Sequence, residues 1–236
     1  MTPLTLGYAF IGGLLPSFVW LYFLLKEDSR CPEPKPVIAL AFIAGMMAVP
    51  FALPAEQFVH AHFGAQGLSY TVIGWATIEE VLKYAMAAGF ILWRATVDES
   101  LDYVIYMITV ALGFAAAENM LYLLVPLSQG QIGVTLFTGD LRFLGSTLLH
   151  VVASSAIGFS LAFSIHRPAV TRTLAAGIGL ILAIVLHSAF NALIMQKGGS
   201  TTLYAFFFVW IAAVVFFAAF EVLKYVRYRN LAKNTC

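Results

Sequence analysis

Seven apolar runs, each near the length that crosses a bilayer, succeed one another along the chain: 4–25, 37–53, 69–93, 103–127, 141–165, 173–195 and 202–223. A helix needs roughly 20 apolar residues to span the hydrocarbon core. No water reaches that core, so each segment must satisfy its own backbone N–H and C=O groups, which only helices and closed barrels achieve. The fold class expected is all-α: a polytopic transmembrane bundle of about seven spans, forming a single integral-membrane domain over residues 1–236. Composition agrees, with 61% of residues hydrophobic and 11% charged, against about 45–50% and about 25% in soluble domains. A net charge of +1 without a basic arm or stripe gives no sign of a nucleic-acid partner. The first run lacks a basic leader and a small-residue cleavage site, so it reads as the first span. The second run is short and contains Pro50, and "PAEQFVHAHFGAQGL" (54–68) after it reads as an interfacial helix. Cys31, in a charged loop, and Cys236, at the last position, suggest neither a disulfide nor a metal site.

Basic residues set the expected orientation. With the N-terminus outside, seven helices place Lys26, Arg30, Lys35, Arg94, Arg167, Arg172, Lys224, Arg227, Arg229 and Lys233 on one side. Arg142 and Lys197 fall on the other side, and Lys83 lies inside a span. The N-terminus is therefore expected outside and the C-terminus inside, in a bacterial or archaeal cytoplasmic membrane.

Five residues are out of place in such spans. "ATIEEVLKYAMAAGF" (76–90) carries Glu79 and Glu80 side by side, and later spans carry Glu118, His150 and His187. An ionisable group at bilayer depth costs at least about 2.5–3.5 kcal/mol on insertion scales, so it usually faces a protein interior or a wet cavity. Counted along their helices, Glu79, Glu118, His150 and His187 all lie roughly 12–15 Å below the outer surface. Four helices thus bring acids and imidazoles to one layer, where chance would scatter them. Successive helical positions point about 100° apart, so Glu79 and Glu80 cannot face the same way. One is expected to face a cavity and the other a neighbouring helix, with Lys83 able to pair with either. Asn119 and Tyr122 lie near Glu118, Ser154 is one turn from His150, and Asn191 is one turn from His187, so each has a potential hydrogen-bonding neighbour.

The ordered set "EEVLK", "GFAAAENMLY", "LLHVVASSAIGFSLA" and "LHSAFNAL" resembles the PrsW family of intramembrane proteases, within the wider CAAX-processing and bacteriocin-processing (CPBP) group. The resemblance runs from about residue 70 to about residue 195. It implies a multi-span protease acting on a membrane-anchored protein, the founding member being associated with extracytoplasmic cleavage of an anti-sigma factor. Carried across, the motif positions are Glu79, Glu80, Glu118, His150 and His187, with Asn191, Asp102 and Tyr106 also matching the family's look.

Two mechanisms satisfy the set. In one, Glu118, His150 and His187 bind Zn²⁺ and another glutamate acts as base on the bound water. In the other, which needs no metal, Glu79 or Glu80 activates water directly while His150, His187 and Asn191 stabilise the oxyanion. The usual H-E-x-x-H zinc helix is absent from the chain. Blander readings stand beside these: a helix-orienting ion pair for Glu79, Glu80 and Lys83, a hydrogen-bond anchor for Glu118, and packing roles for the two histidines. His60, His62 and His166 read as solvated, and "YAFFFVW" as lipid-facing. The competing functions are a proton- or cation-coupled transporter and a non-catalytic scaffold on the same fold. Inverted repeats, which would favour a transporter, are not found. The substrate's identity and the oligomeric state are left open.

Overall fold

The computed structural model describes residues 2–28, 31–196 and 199–231. Arg30, Lys197, Lys233 and Cys236 lie outside these, as does the side chain of Arg229. Eight α-helices follow in order among the described residues: α1 (Pro3–Glu27), α2 (Lys35–Phe63), α3 (Leu68–Phe90), α4 (Ser100–Ser128), α5 (Ile132–Leu141), α6 (Thr147–Ala162), α7 (Ala169–Ile194) and α8 (Gly199–Leu231). Helix starts carry recognisable chemistry. Thr2 caps α1 by accepting from the Thr5 N–H at 3.2 Å, ahead of Pro3 in the first turn. At α4, Asp102 Oδ2 accepts from the backbone N–H groups of Asp98 (2.9 Å) and Glu99 (2.7 Å), completing a capping box.

Six segments are long and apolar enough to cross a membrane, α5 and α6 counting as one. The remaining long helix is α3, which carries Glu79, Glu80 and Lys83 along its length. The all-helical bundle of about seven spans is thus present, and the protein is an integral membrane protein. Two boundaries differ from expectation. Residues 54–63 are not a separate interfacial helix; α2 runs through Pro50 and Pro54 to Phe63, and a 3₁₀ turn, Gly64–Gln66, follows. The fifth run is interrupted by a π-helical turn, Arg142–Ser146, between α5 and α6. Cys31 also departs from expectation, because it is disulfide-bonded.

The bundle is organised around α4, in which every residue from Leu101 to Ala117 is buried. Glycines let its neighbours come close. A Cβ on Gly45 of α2 would lie 1.9 Å from the Val110 carbonyl oxygen, and one on Gly113 of α4 would lie 1.9 Å from that of Phe42. Gly13 of α1 and Gly158 of α6 abut the α4 backbone with the same kind of clearance, 2.7 Å. Small residues at crossings are how helices pack without a hydrophobic drive between them. The outer helices turn large apolar side chains outward: Leu174, Ile178 and Ile181 of α7, and Tyr204 and Phe207 of α8, are exposed as a lipid-facing surface should be. In the "YAFFFVW" run, however, Ala205 and Val209 face inward.

One end of the bundle collects the basic residues. There Arg227 of α8 pairs with Asp28 at 2.7 Å and with Glu99, while Arg172 of α7 donates to the Tyr103 hydroxyl at 2.7 Å. Tyr106 donates to Glu33 ahead of α2. Asp102 and Tyr106 therefore belong to this end, away from the layer that holds the other motif residues.

Candidate active site

The buried residues of α3 recur at Val72, Ala76, Glu79, Glu80, Lys83 and Ala87, the spacing of one helical face. The charges occupy the stripe that would otherwise pack on the core. On α7 the buried seam is Ala176, Gly179, Ala183, His187 and Phe190, so His187 takes a core position too. His150 lies on α6, buried all round, and Glu118 on the outer half of α4. All five motif residues converge.

Lys83 sits at the centre. Its Nζ is fully buried and lies 2.8 Å from Glu80 Oε1, 3.4 Å from Glu79 Oε2 and 2.8 Å from His150 Nδ1, above the Phe114 ring at 4.4 Å. Glu80 also accepts from Ser154 Oγ at 2.7 Å and meets His187 Nδ1 at 2.8 Å. Glu118 Oε2 meets His150 Nε2 at 2.8 Å and accepts from Arg142 Nη2 at 2.8 Å. Arg142 Nε donates to Asn119 Oδ1, and Asn119 Nδ2 donates to Thr147 Oγ1 at 3.0 Å. Buried polar groups in lipid demand such satisfaction, and here it is supplied by residues up to 107 positions apart.

The pattern assigns the imidazole tautomers. His187 Nδ1–H donates to Glu80, leaving the Nε2 lone pair toward Glu79 at 3.8 Å. His150 Nε2–H donates to Glu118, leaving Nδ1 toward Lys83 and toward Glu79 Oε2, also at 3.8 Å. Glu79, His150 and His187 thus offer one ligand atom each, all within 4.8 Å of one another. The carboxylate that joins the two imidazoles in this group is Glu79, where sequence reasoning had placed Glu118; Glu118 is instead held by Arg142 and His150. Formal charge also matters. Three carboxylates face two fixed cations, Lys83 and Arg142, so the cluster is short of one positive charge.

A cavity of about 390 Å³ opens onto this cluster. Glu79, Glu118, His150, His187 and Asn191 line it, whereas Glu80 does not. The 100° offset between the paired acids resolves as expected: Glu79 faces the cavity and Glu80 faces the neighbouring helices. Asn191 lies one turn beyond His187 on the cavity wall, and Tyr122 lines it beneath the Arg142 guanidinium, 4.0 Å from its ring. Ser154 serves Glu80 and not the nearby His150. His60, His62 and His166 are exposed. Sequence reasoning missed Arg142, read as a loop residue, and the bond from Lys83 to His150.

A multi-span bundle whose interior holds acids and imidazoles around a wet cavity defines a class, the membrane-embedded hydrolase. Comparison narrows it: the profile of the family described as PrsW family intramembrane metalloprotease matches residues 33–220, and the chain belongs to that family of peptidases. It is 33% identical to Protease PrsW of Geobacillus kaustophilus over 115 residues, 48% of this chain and 50% of that one. It is 25% identical to Protease PrsW of Bacillus subtilis over 181 residues (76% and 79%). It is 23% identical to Protease PrsW of Clostridioides difficile over 193 residues (79% of each). The first alignment spans half the length of its relative, the other two about four fifths. No solved structure matches the chain.

Proposed function

We propose that this chain is an intramembrane endopeptidase that hydrolyses a peptide bond of a membrane-anchored protein near the extracytoplasmic face, with Glu79 holding the attacking water. One observation carries the reading: Glu79 Oε2 stands 3.8 Å from His150 Nδ1 and from His187 Nε2 at the wall of the cavity. That gap admits one small atom in contact with all three groups, such as a water oxygen. Glu79 takes the water's proton as the oxygen attacks the scissile carbonyl, then passes it to the leaving amide nitrogen. Asn191 offers a neutral donor to the developing oxyanion. Glu80, fixed by Lys83, Ser154 and His187, holds the His187 ring in place. Arg142 and Lys83 restrain the negative charge that accumulates.

The same three ligand atoms fit a divalent metal such as Zn²⁺, each imidazole being backed by a carboxylate as metal-bound histidines usually are. When bound, such an ion would act as a Lewis acid and acidify its water. Lys83 Nζ would have to withdraw from His150 Nδ1, because the two cations would share one lone pair.

The test is cleavage of a membrane-anchored reporter by purified protein in proteoliposomes. Wild type is expected to cut, and Glu79→Gln is not. Unimpaired cleavage by Glu79→Gln, or ion flux tracking these variants without proteolysis, would refute the assignment. Stoichiometric zinc with chelator sensitivity would make Glu79 a ligand; metal-free activity makes it the base.

A further inference from the structure

Every charged group lining the catalytic cavity has a partner except one. Glu79 faces Lys83, and Glu118 takes Arg142 and His150. Glu56, near the end of α2, lines the same cavity, yet among the described residues its carboxylate makes no hydrogen bond or ion pair. Only its backbone carbonyl is engaged, accepting from Trp75 Nε1 at 3.0 Å. Glu56 is half-buried.

Its position is specific. A second cavity, about 330 Å³, runs between α2 and α4 with Val49, Leu53, Phe114, Leu121 and Val125 in its walls, and it shares Glu56, Glu118 and Tyr122 with the first. Glu56 therefore stands where an apolar groove of helix-packing origin meets the polar pocket. An extended apolar peptide lying in that groove would bring the residues beside its scissile bond past this carboxylate. At such depth an unmatched carboxylate is costly, and a cation arriving with the substrate would relieve that cost while gaining an ion pair in a medium of low dielectric. The pocket's own cations do not compete for the peptide's charge, because Lys83 and Arg142 are already committed to other acids.

We propose that Glu56 is a specificity-determining residue, selecting membrane-anchored peptides that carry a Lys or Arg beside the scissile bond. The inference rests on the protease reading above.

The experiment uses the full chain in proteoliposomes with membrane-anchored peptides in which Lys, Gln or Glu is scanned through the five positions on each side of the cut. At one or two adjacent positions Lys is expected to raise kcat/KM about tenfold over Gln, mainly through KM, the size of one desolvated ion pair. In Glu56→Gln that ratio should fall to about one, in Glu56→Asp part of it should remain, and in Glu56→Lys the Glu-bearing peptide should become the better substrate. A wild-type ratio of one at every position, or a ratio that survives Glu56→Gln, overturns this inference and leaves the protease reading standing. Failure of the wild type to cut any peptide overturns both.

Discussion

Two buried polar clusters sit at opposite ends of the same helices and are built for different ends. At the basic-rich end, Asp28, Glu33, Glu99 and Asp102 meet a guanidinium, a phenol and backbone N–H groups. Those partners cap helices and tie α1, α4 and α8 together. In the other layer, Glu79, Glu80 and Glu118 meet an ammonium, a guanidinium and two imidazoles, and a gap of 3.8 Å is left open beside a cavity. Burial alone does not distinguish them, since Asp102 and Glu80 are equally hidden. The difference is that the first cluster satisfies its acids with groups that have nothing left to give. The second leaves one carboxylate and two nitrogen lone pairs pointing at a shared space. Function belongs to the unfinished cluster.

The largest expected effect separates them directly. Glu79→Gln keeps the shape of the side chain and removes its basicity, so cleavage should fall about 10²–10⁴-fold with little change in thermal unfolding. Next in size is Lys83→Met. It leaves Glu79 and Glu80 buried without their cation, and breaking a buried pair in this way costs about 3–5 kcal/mol. Both the melting temperature in detergent and the activity of the folded fraction should drop. Arg227→Met is the counterpart at the other end, where Asp28 and Glu99 lose their partner. A loss of about 3 kcal/mol in stability is expected, with specific activity per folded molecule unchanged. If Arg227→Met abolished cleavage while leaving the melting curve in place, the division between the clusters would be wrong.

The depth layer was legible in the sequence because position along a helix is one-dimensional: Glu79, Glu118, His150 and His187 share a level, and they meet. Helical phase was legible too, in the divergence of Glu79 from Glu80. What sequence could not supply was the rotation of one helix against another. Ser154 was assigned to His150 on its own helix, yet the neighbouring α3 presents Glu80 to it at 2.7 Å. Arg142 was read as lying in a loop, but a π turn carries it back onto Glu118. Asp102 and Tyr106 matched a family look and fold to the wrong end for chemistry, where they cap α4 and bind Glu33. Pro50 and Pro54 suggested a break, and α2 passes through both, as transmembrane helices tolerate when neighbours satisfy the freed carbonyls.

The smallest expected effect is a pH slope at the basic-rich end. Burial pushes the Asp28 carboxyl up to about 6 from its usual 3.8, Arg227 opposes the rise in part, and Glu33 and Glu99 add to it. The folded chain therefore binds this proton more tightly than the unfolded chain does. The stability that Asp28 contributes is fully present below about 4 and declines as pH climbs through about 6, because ionisation then places a charge in a buried site. Thermal unfolding in detergent should show a lower melting temperature at pH 7 than at pH 5 from this residue, and Asp28→Asn should flatten that part of the slope. Cleavage should not follow the same profile, since Asp28 lies away from the cavity residues. A wild-type slope that Asp28→Asn leaves intact would move the titration to another group, while a cleavage profile shifted by Asp28→Asn would mean that the two ends are coupled and the structural cluster is not merely structural.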